Sequence, residues 1–102
     1  MDTLIFNALA EPSRLRIIDL LKSGPLPVNF IARSLSLRQP QVSKHLHVLS
    51  EAGFVTVRPI AQQRVYHLQS KPFQEIESWA VAYRRQWEGR MDKLDEYVQE
   101  LK

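Results

Sequence analysis

A mainly α-helical fold with one small two-stranded β element (α+β) is what this 102-residue sequence predicts, on three observations. Apolar residues recur every three or four positions through the first half of the chain. The period falls to two between residues 54 and 69, and it returns to three or four from Pro72 onward. Residues 1–102 are read as one domain, because about a hundred residues suffice for a single hydrophobic core.

The first segment, 3–10, carries Leu4, Ile5, Phe6, Ala8 and Leu9 and ends before Glu11-Pro12, where proline restricts the residue ahead of it and opens a new helix. That helix, about 12–23, sets Leu15, Ile18 and Leu21 on one side, broadened by Ile17 and Leu20, and leaves Arg14 and Arg16 in solvent. Gly24-Pro25 stops it. A third helix, about 27–35, has Val28, Ile31, Ala32 and Leu35 at helical spacing. Ser36-Leu37-Arg38 leaves room only for a sharp turn before a helix starting near Gln39, so residues 27–50 have helix-turn-helix anatomy.

Gly53 is placed to end that fourth helix in the left-handed conformation. Val55 and Val57 then alternate with Thr56 and Arg58, and Tyr66 and Leu68 with Arg64 and His67, across a connection at about 59–63. This pattern predicts a two-stranded wing over 54–69. Pro59 donates no ladder hydrogen bond, so its strand ends there or lies at an edge. In the last segment, 72–102, the residues Phe73, Ile76, Ala80, Tyr83, Trp87, Met91, Leu94, Val98 and Leu101 stripe one long amphipathic helix, with Trp79 and Tyr97 beside them. Some thirty residues at about 1.5 Å each span roughly 45 Å, more than a domain of this size covers by itself. The stripe therefore calls for a partner helix.

Residues 36–49 carry the chemistry. Pro40 suits the first turn of a helix, where its missing N–H is not needed, and Val42, Leu46 and Leu49 give one apolar face. The other face presents Gln41, Ser43, Lys44 and His47, hydrogen-bonding and cationic groups that reach base edges and phosphates, with no acid until Glu51. The charge distribution agrees. Residues 12–68 hold eight basic side chains against Asp19 and Glu51, a net +6, while the rest of the chain sums to −3. His45, beside the apolar stripe, reads as a packed or turn-bonding residue, and His47 as the better contact.

Other chemistry is poorly supplied. Cysteine is absent, which removes disulfides, thiolate metal sites and a Cys nucleophile together. His45 and His47, two apart on a helix, point in different directions and cannot chelate one ion, and His67 lies on the wing. Glu88, Asp92, Asp95, Glu96 and Glu100 are spaced as a solvated helix face offset by Arg84, Arg85 and Lys93. No nucleophile–base pair or glycine-rich phosphate loop is present. The expectation is no enzyme, no metal and no cofactor. No membrane-spanning run or secretory leader is apparent, so a cytoplasmic location is expected.

The order of elements, with Glu-Pro-Ser-Arg-Leu-Arg-Ile-Ile at 11–18, Gln-Pro-Gln-Val-Ser-Lys-His-Leu at 39–46 and Glu-Ala-Gly-Phe-Val at 51–55, followed by Arg58 and Tyr66, resembles the ArsR (SmtB/ArsR) family of bacterial winged-helix repressors. The resemblance covers nearly the whole chain. It implies a homodimer built from the first and last helices (1–10 and 72–102), bound to an inverted repeat near its own promoter and released by an effector. On that basis Ile5, Leu9, Ile76, Tyr83, Trp87, Met91, Leu94 and Val98 are the expected dimer contacts.

Three departures from the family pattern bear on function. Arg38 stands where many members have Ser or Thr, giving up a hydroxyl cap but adding a cation where the DNA backbone would pass. The wing tip is Ala61-Gln62-Gln63 in place of Gly-Arg, so its contacts are amide rather than cationic. The cysteine motif of founding members and the Asp/His ligands that others place on the last helix are both missing, which argues against metal sensing.

The resulting expectation is a homodimeric, sequence-specific repressor on double-stranded DNA. Gln39, Gln41, Ser43, Lys44 and His47 face the major groove, and Arg38, Arg58, Gln62, Gln63 and Arg64 hold the backbone or minor groove. Any small-molecule effector is unidentified, with the Trp79, Tyr83 and Trp87 region its first candidate site, although packing is the commoner use of such a stripe. The rival is a winged-helix protein-interaction module that has no operator.

Overall fold

The structure is a computed structural model describing residues 2–101. Its elements run α1 (Thr3–Leu9), α2 (Pro12–Leu21), β1 (Leu26–Pro27), α3 (Val28–Leu35), α4 (Gln39–Glu51), β2 (Val55–Ile60), β3 (Gln63–Leu68) and α5 (Lys71–Glu100). The sheet has three strands rather than the two expected. β1 joins antiparallel to β3, Leu26 opposite Tyr66 and Pro27 opposite Val65, giving the order β1-β3-β2. Two residues with no alternation and a proline carry no strand signal of their own; the pairing comes from β3. Both strand prolines lie on edges, where a missing N–H is tolerated, and β2 continues through Pro59 to Ile60.

Local chemistry closes each helix. Asp2 Oδ1 accepts from the Leu4 N–H at 3.0 Å at the start of α1, and Glu11 Oε2 accepts from the Arg14 N–H at 3.1 Å at the start of α2. The α4 end is a Schellman turn: Gly53 takes φ +84°, its N–H donates to the Ser50 carbonyl at 3.0 Å, and the Phe54 N–H donates to the Leu49 carbonyl at 2.9 Å. The helix-turn-helix turn repeats that device without glycine. Ser36 sits at φ +57°, and the Leu37 N–H reaches back to the Ala32 carbonyl at 3.0 Å. Leu49, Phe54, Ile17, Ile31, Val42, Leu46 and Val55 are fully buried and pin α2, α3, α4 and β2 to one core.

Arg14 does not stay in solvent as expected. Its Nε donates to the Ala8 carbonyl at 2.7 Å and its Nη2 to the Asn7 carbonyl at 3.2 Å, the second of which also accepts the Ala10 N–H at 3.2 Å where α1 ends. Ile5 likewise turns inward, 4% exposed among the core residues, while its neighbours Leu4 and Phe6 are exposed. Only the first turns of α5 are anchored, by buried Pro72, by Phe73 edge-on to Phe54 at 5.1 Å, and by Ile76. The remainder gives the molecule extents of 71 × 23 × 23 Å. No helix among the described residues is long and apolar enough to cross a membrane.

Candidate nucleic-acid interface

Burial of Val42, Leu46 and Leu49 fixes the rotation of α4 and leaves Gln39, Gln41, Ser43, Lys44 and His47 exposed on its outer side, with Arg38 at its N-terminus. Gln39, Ser43 and His47 follow one another at i, i+4 and i+8 and form one row along the helix. Gln41 and Lys44 flank that row. No acidic side chain interrupts the surface before Glu51, whose Oε1 lies 3.7 Å from His47 Nε2 at the far end of the helix. Both of those groups are exposed, so the contact yields readily to another partner.

The start of α4 is tied by its own sequence. Arg38 is the N-cap and makes no side-chain cap bond, and in exchange the Gln41 Oε1 accepts from the Arg38 backbone N–H at 3.2 Å. Among the described residues the Gln41 amide Nε2 has no partner, and Arg38 is exposed.

The hairpin of β2 and β3 turns over two residues, Ala61 and Gln62, with Ile60 opposite Gln63. This connection is shorter than the expected 59–63. Ala61 holds φ +55°, a conformation that glycine adopts at lower cost. Gln62, Gln63 and Arg64 share one cleft with Gln39, Val28 and Asn29, so the wing tip, the start of α4 and the start of α3 line one surface. Asn29 was missed in the sequence, although an exposed amide in the first turn of the helix before the turn was there to be noticed.

The wing arginines separate. The register sets Arg58 opposite Val65 and Arg64 opposite Pro59, and adjacent residues of a strand project to opposite faces. Arg64 therefore joins the cleft beside Gln39, and Arg58 leaves from the other face of the hairpin. His45 is drawn away from the exposed row. Its Nδ1 lies 3.4 Å from Arg14 Nη1 and 3.7 Å from Glu11 Oε2, between α4 and α2.

On α5 the expected contact residues Tyr83, Trp87, Met91, Leu94 and Val98 are all exposed, Tyr83 by 59% and Trp87 by 55%. Trp79 stacks on Tyr83 with ring centroids 5.7 Å apart and takes the edge of Phe6 at 5.2 Å, which carries the apolar surface from α5 onto α1. Phe6 and Leu4, rather than Ile5, are the exposed large side chains of α1, with Leu9 half-buried between. A seven-residue helix whose apolar residues surround it leaves the inward side to tertiary packing, so the sequence pattern could not choose between Ile5 and Phe6.

Comparison with known proteins agrees with this geometry. The family model of a helix-turn-helix domain matches residues 9–58. The chain is 44% identical over 63 residues to the HTH-type transcriptional regulator Rv2034 of Mycobacterium tuberculosis, a match taking in 62% of this chain and 59% of that protein's length. It is similar in structure to the ArsR family transcriptional regulator RHA00566, with a TM-score of 0.79 at 29% identity over 84% of this chain and 89% of that one. It is also similar to the homodimeric winged helix-turn-helix DNA-binding domain of Mb0332 from Mycobacterium bovis, with a TM-score of 0.67 at 25% identity over 85% and 82% of the two chains. Rv2034 and RHA00566 are transcriptional regulators, and the Mb0332 domain is a DNA-binding domain. With a helix-turn-helix, a three-stranded wing and a long terminal helix in the same order, this chain belongs to the ArsR family of winged helix-turn-helix transcriptional regulators.

Proposed function

We propose that this chain is a homodimeric repressor that reads an inverted-repeat operator in double-stranded DNA. Gln39, Gln41, Ser43, Lys44 and His47 meet base edges in the major groove, and Arg38, Gln62, Gln63 and Arg64 hold the backbone and minor groove. Arg58, leaving from the other face of the hairpin, serves a separate phosphate contact. The observation that carries the reading is the exposed, acid-free polar row of α4, continuous with the wing tip and backed by fully buried Val42, Leu46 and Leu49. A rigid polar helix face of this kind suits base readout, and its cations suit phosphate.

The exposed aromatic and aliphatic surface from Phe6 through Trp79 to Val98 supports the homodimer, since apolar area on this scale is costly in water. The homodimeric state of Mb0332 points the same way. Repression, as against activation, rests on the family. An effector that is not a metal is favoured by the absence of cysteine and by the absence of histidine after His67.

Selection of duplexes from a random pool on the purified protein tests the reading. The expected product is a pseudo-palindrome with half-sites about 34 Å apart or a multiple of that, bound about a thousandfold or more tighter than a shuffled duplex at physiological salt. Equal, salt-labile binding to every duplex would overturn sequence-specific reading. An intact dimer that binds no duplex even at low salt would favour a protein-interaction module instead.

A further inference from the structure

Among the described residues, every polar side-chain contact between α4 and another element runs through His45. Its Nδ1 faces two partners, Arg14 on α2 and Glu11 just ahead of it, that make opposite demands. Arg14 is a donor only, so its contact at 3.4 Å requires a bare Nδ1, with the imidazole proton on Nε2. Glu11 Oε2, 3.7 Å from the same nitrogen and beyond hydrogen-bond distance, attracts the ring only when the ring is charged, and a charged ring carries a proton on Nδ1. One nitrogen cannot satisfy both at once. A protonated Nδ1 has no lone pair for Arg14, and an imidazolium is attracted by the Glu11 carboxylate and repelled by the Arg14 guanidinium.

What Arg14 holds gives the exchange its reach. The same guanidinium donates to the Ala8 and Asn7 carbonyls that end α1, so it ties α1 to α4 through one planar group. Glu11 likewise serves twice, because its Oε2 also accepts the Arg14 backbone N–H that opens α2. The residues one turn away from His45 on α4, Gln41, Val42, Val48 and Leu49, carry no charge. Neither α3 nor β2 contributes an ion pair or side-chain hydrogen bond to His45 among the described residues. The side chain is 23% exposed, so the ring is reached by solvent.

We propose that His45 is a positioning residue for the reading helix: its exchange of Arg14 for Glu11 couples the seating of α4 to the end of α1, and operator discrimination falls as the exchange proceeds. The inference rests on the DNA-reading proposal above. Discrimination falls for two reasons. Base contacts depend on the placement of α4, and a new cation beside α4 strengthens attraction to any duplex regardless of sequence.

The test compares the wild-type protein with His45→Gln, whose side-chain oxygen accepts from Arg14 and cannot be protonated. Fluorescence anisotropy gives the ratio of affinities for the selected inverted repeat and a shuffled duplex between about pH 8 and 5.5 at fixed ionic strength. His47 and His67 are present in both proteins, so the comparison isolates position 45. The ratio is expected to fall about three- to tenfold further in the wild type than in His45→Gln. Parallel profiles would overturn the proposal. A second readout needs no DNA: over the same pH range the backbone amide NMR shifts of Asn7, Leu9 and Ala10 are expected to move in the wild type and to stay still in His45→Gln. Amides of α1 that stay still in the wild type would also overturn it. Amides that titrate while no duplex can be selected would uphold the coupling and overturn the DNA-reading proposal alone.

Discussion

The Arg38 backbone N–H donates to the Gln41 side-chain Oε1 at 3.2 Å, so a residue on the exposed polar face of α4 also closes the start of its own helix. Removing Gln41 therefore has two separable effects. One is the loss of half a capping box; the other is the loss of an amide donor from the surface.

Gln41→Ala is expected to lower stability by about 0.5–1 kcal/mol and to reduce discrimination between operator and shuffled duplex. Gln41→Glu restores the acceptor for Arg38 and favours the positive end of the helix, but sets a carboxylate against DNA phosphates. It should match the wild type in urea denaturation and bind every duplex more weakly. If the two variants lose the same stability, the cap bond contributes nothing.

Arg64, in the cleft beside Gln39, should act through charge. Arg64→Ala is expected to weaken operator and shuffled duplex alike and to reduce the slope of log affinity against log salt by about one unit. A larger loss on the operator than on the shuffled duplex would make Arg64 a base reader.

Two backbone positions predict opposite outcomes. Ala61 holds φ +55° and gains by becoming glycine, so Ala61→Gly should raise stability by about 1 kcal/mol. Gly53 holds φ +84°, where an added Cβ would lie 3.6 Å from Pro72 Cγ. Space is adequate but the conformation is not, and Gly53→Ala should cost about 1–2 kcal/mol. Thermal unfolding of the two variants at one protein concentration checks both signs.

Ile5 and Trp87 distinguish the core from the dimer contact. Ile5→Ala removes a buried side chain and should cost about 2–5 kcal/mol of stability at constant oligomeric state. Trp87→Glu adds charge to an exposed apolar surface and should shift sedimentation from dimer toward monomer. A monomeric wild type would remove α5 from the interface.

The elements with a strong local period were legible in the sequence. Val42, Leu46 and Leu49 alone set the rotation of α4, and hence the exposure of Gln39, Ser43, Lys44 and His47, because a helix that buries one face must show the other. Pro40, Gly53 and the alternation of 55–58 and 64–68 marked the ends of α4 and the wing strands, since those residues impose conformations on their own backbone. The long α5 and its unpartnered stripe followed from period and length.

Tertiary structure decided whatever depends on residues far apart in the chain. β1 exists because Tyr66 and Val65 pair with Leu26 and Pro27, and two residues cannot announce a strand by themselves. Arg14 turns from solvent to α1 because helix packing brings the carbonyls of Asn7 and Ala8 within reach, which no spacing along α2 reveals. The opposed faces of Arg58 and Arg64 follow from the register of the hairpin, and the inward turn of Ile5 from where α1 meets the core. His45, thirty-one residues from Arg14, acquires its two competing partners only when α2 and α4 pack together. Periodicity is written into consecutive residues. Contacts between elements are set by how the buried faces fit, and that is a property of the folded chain.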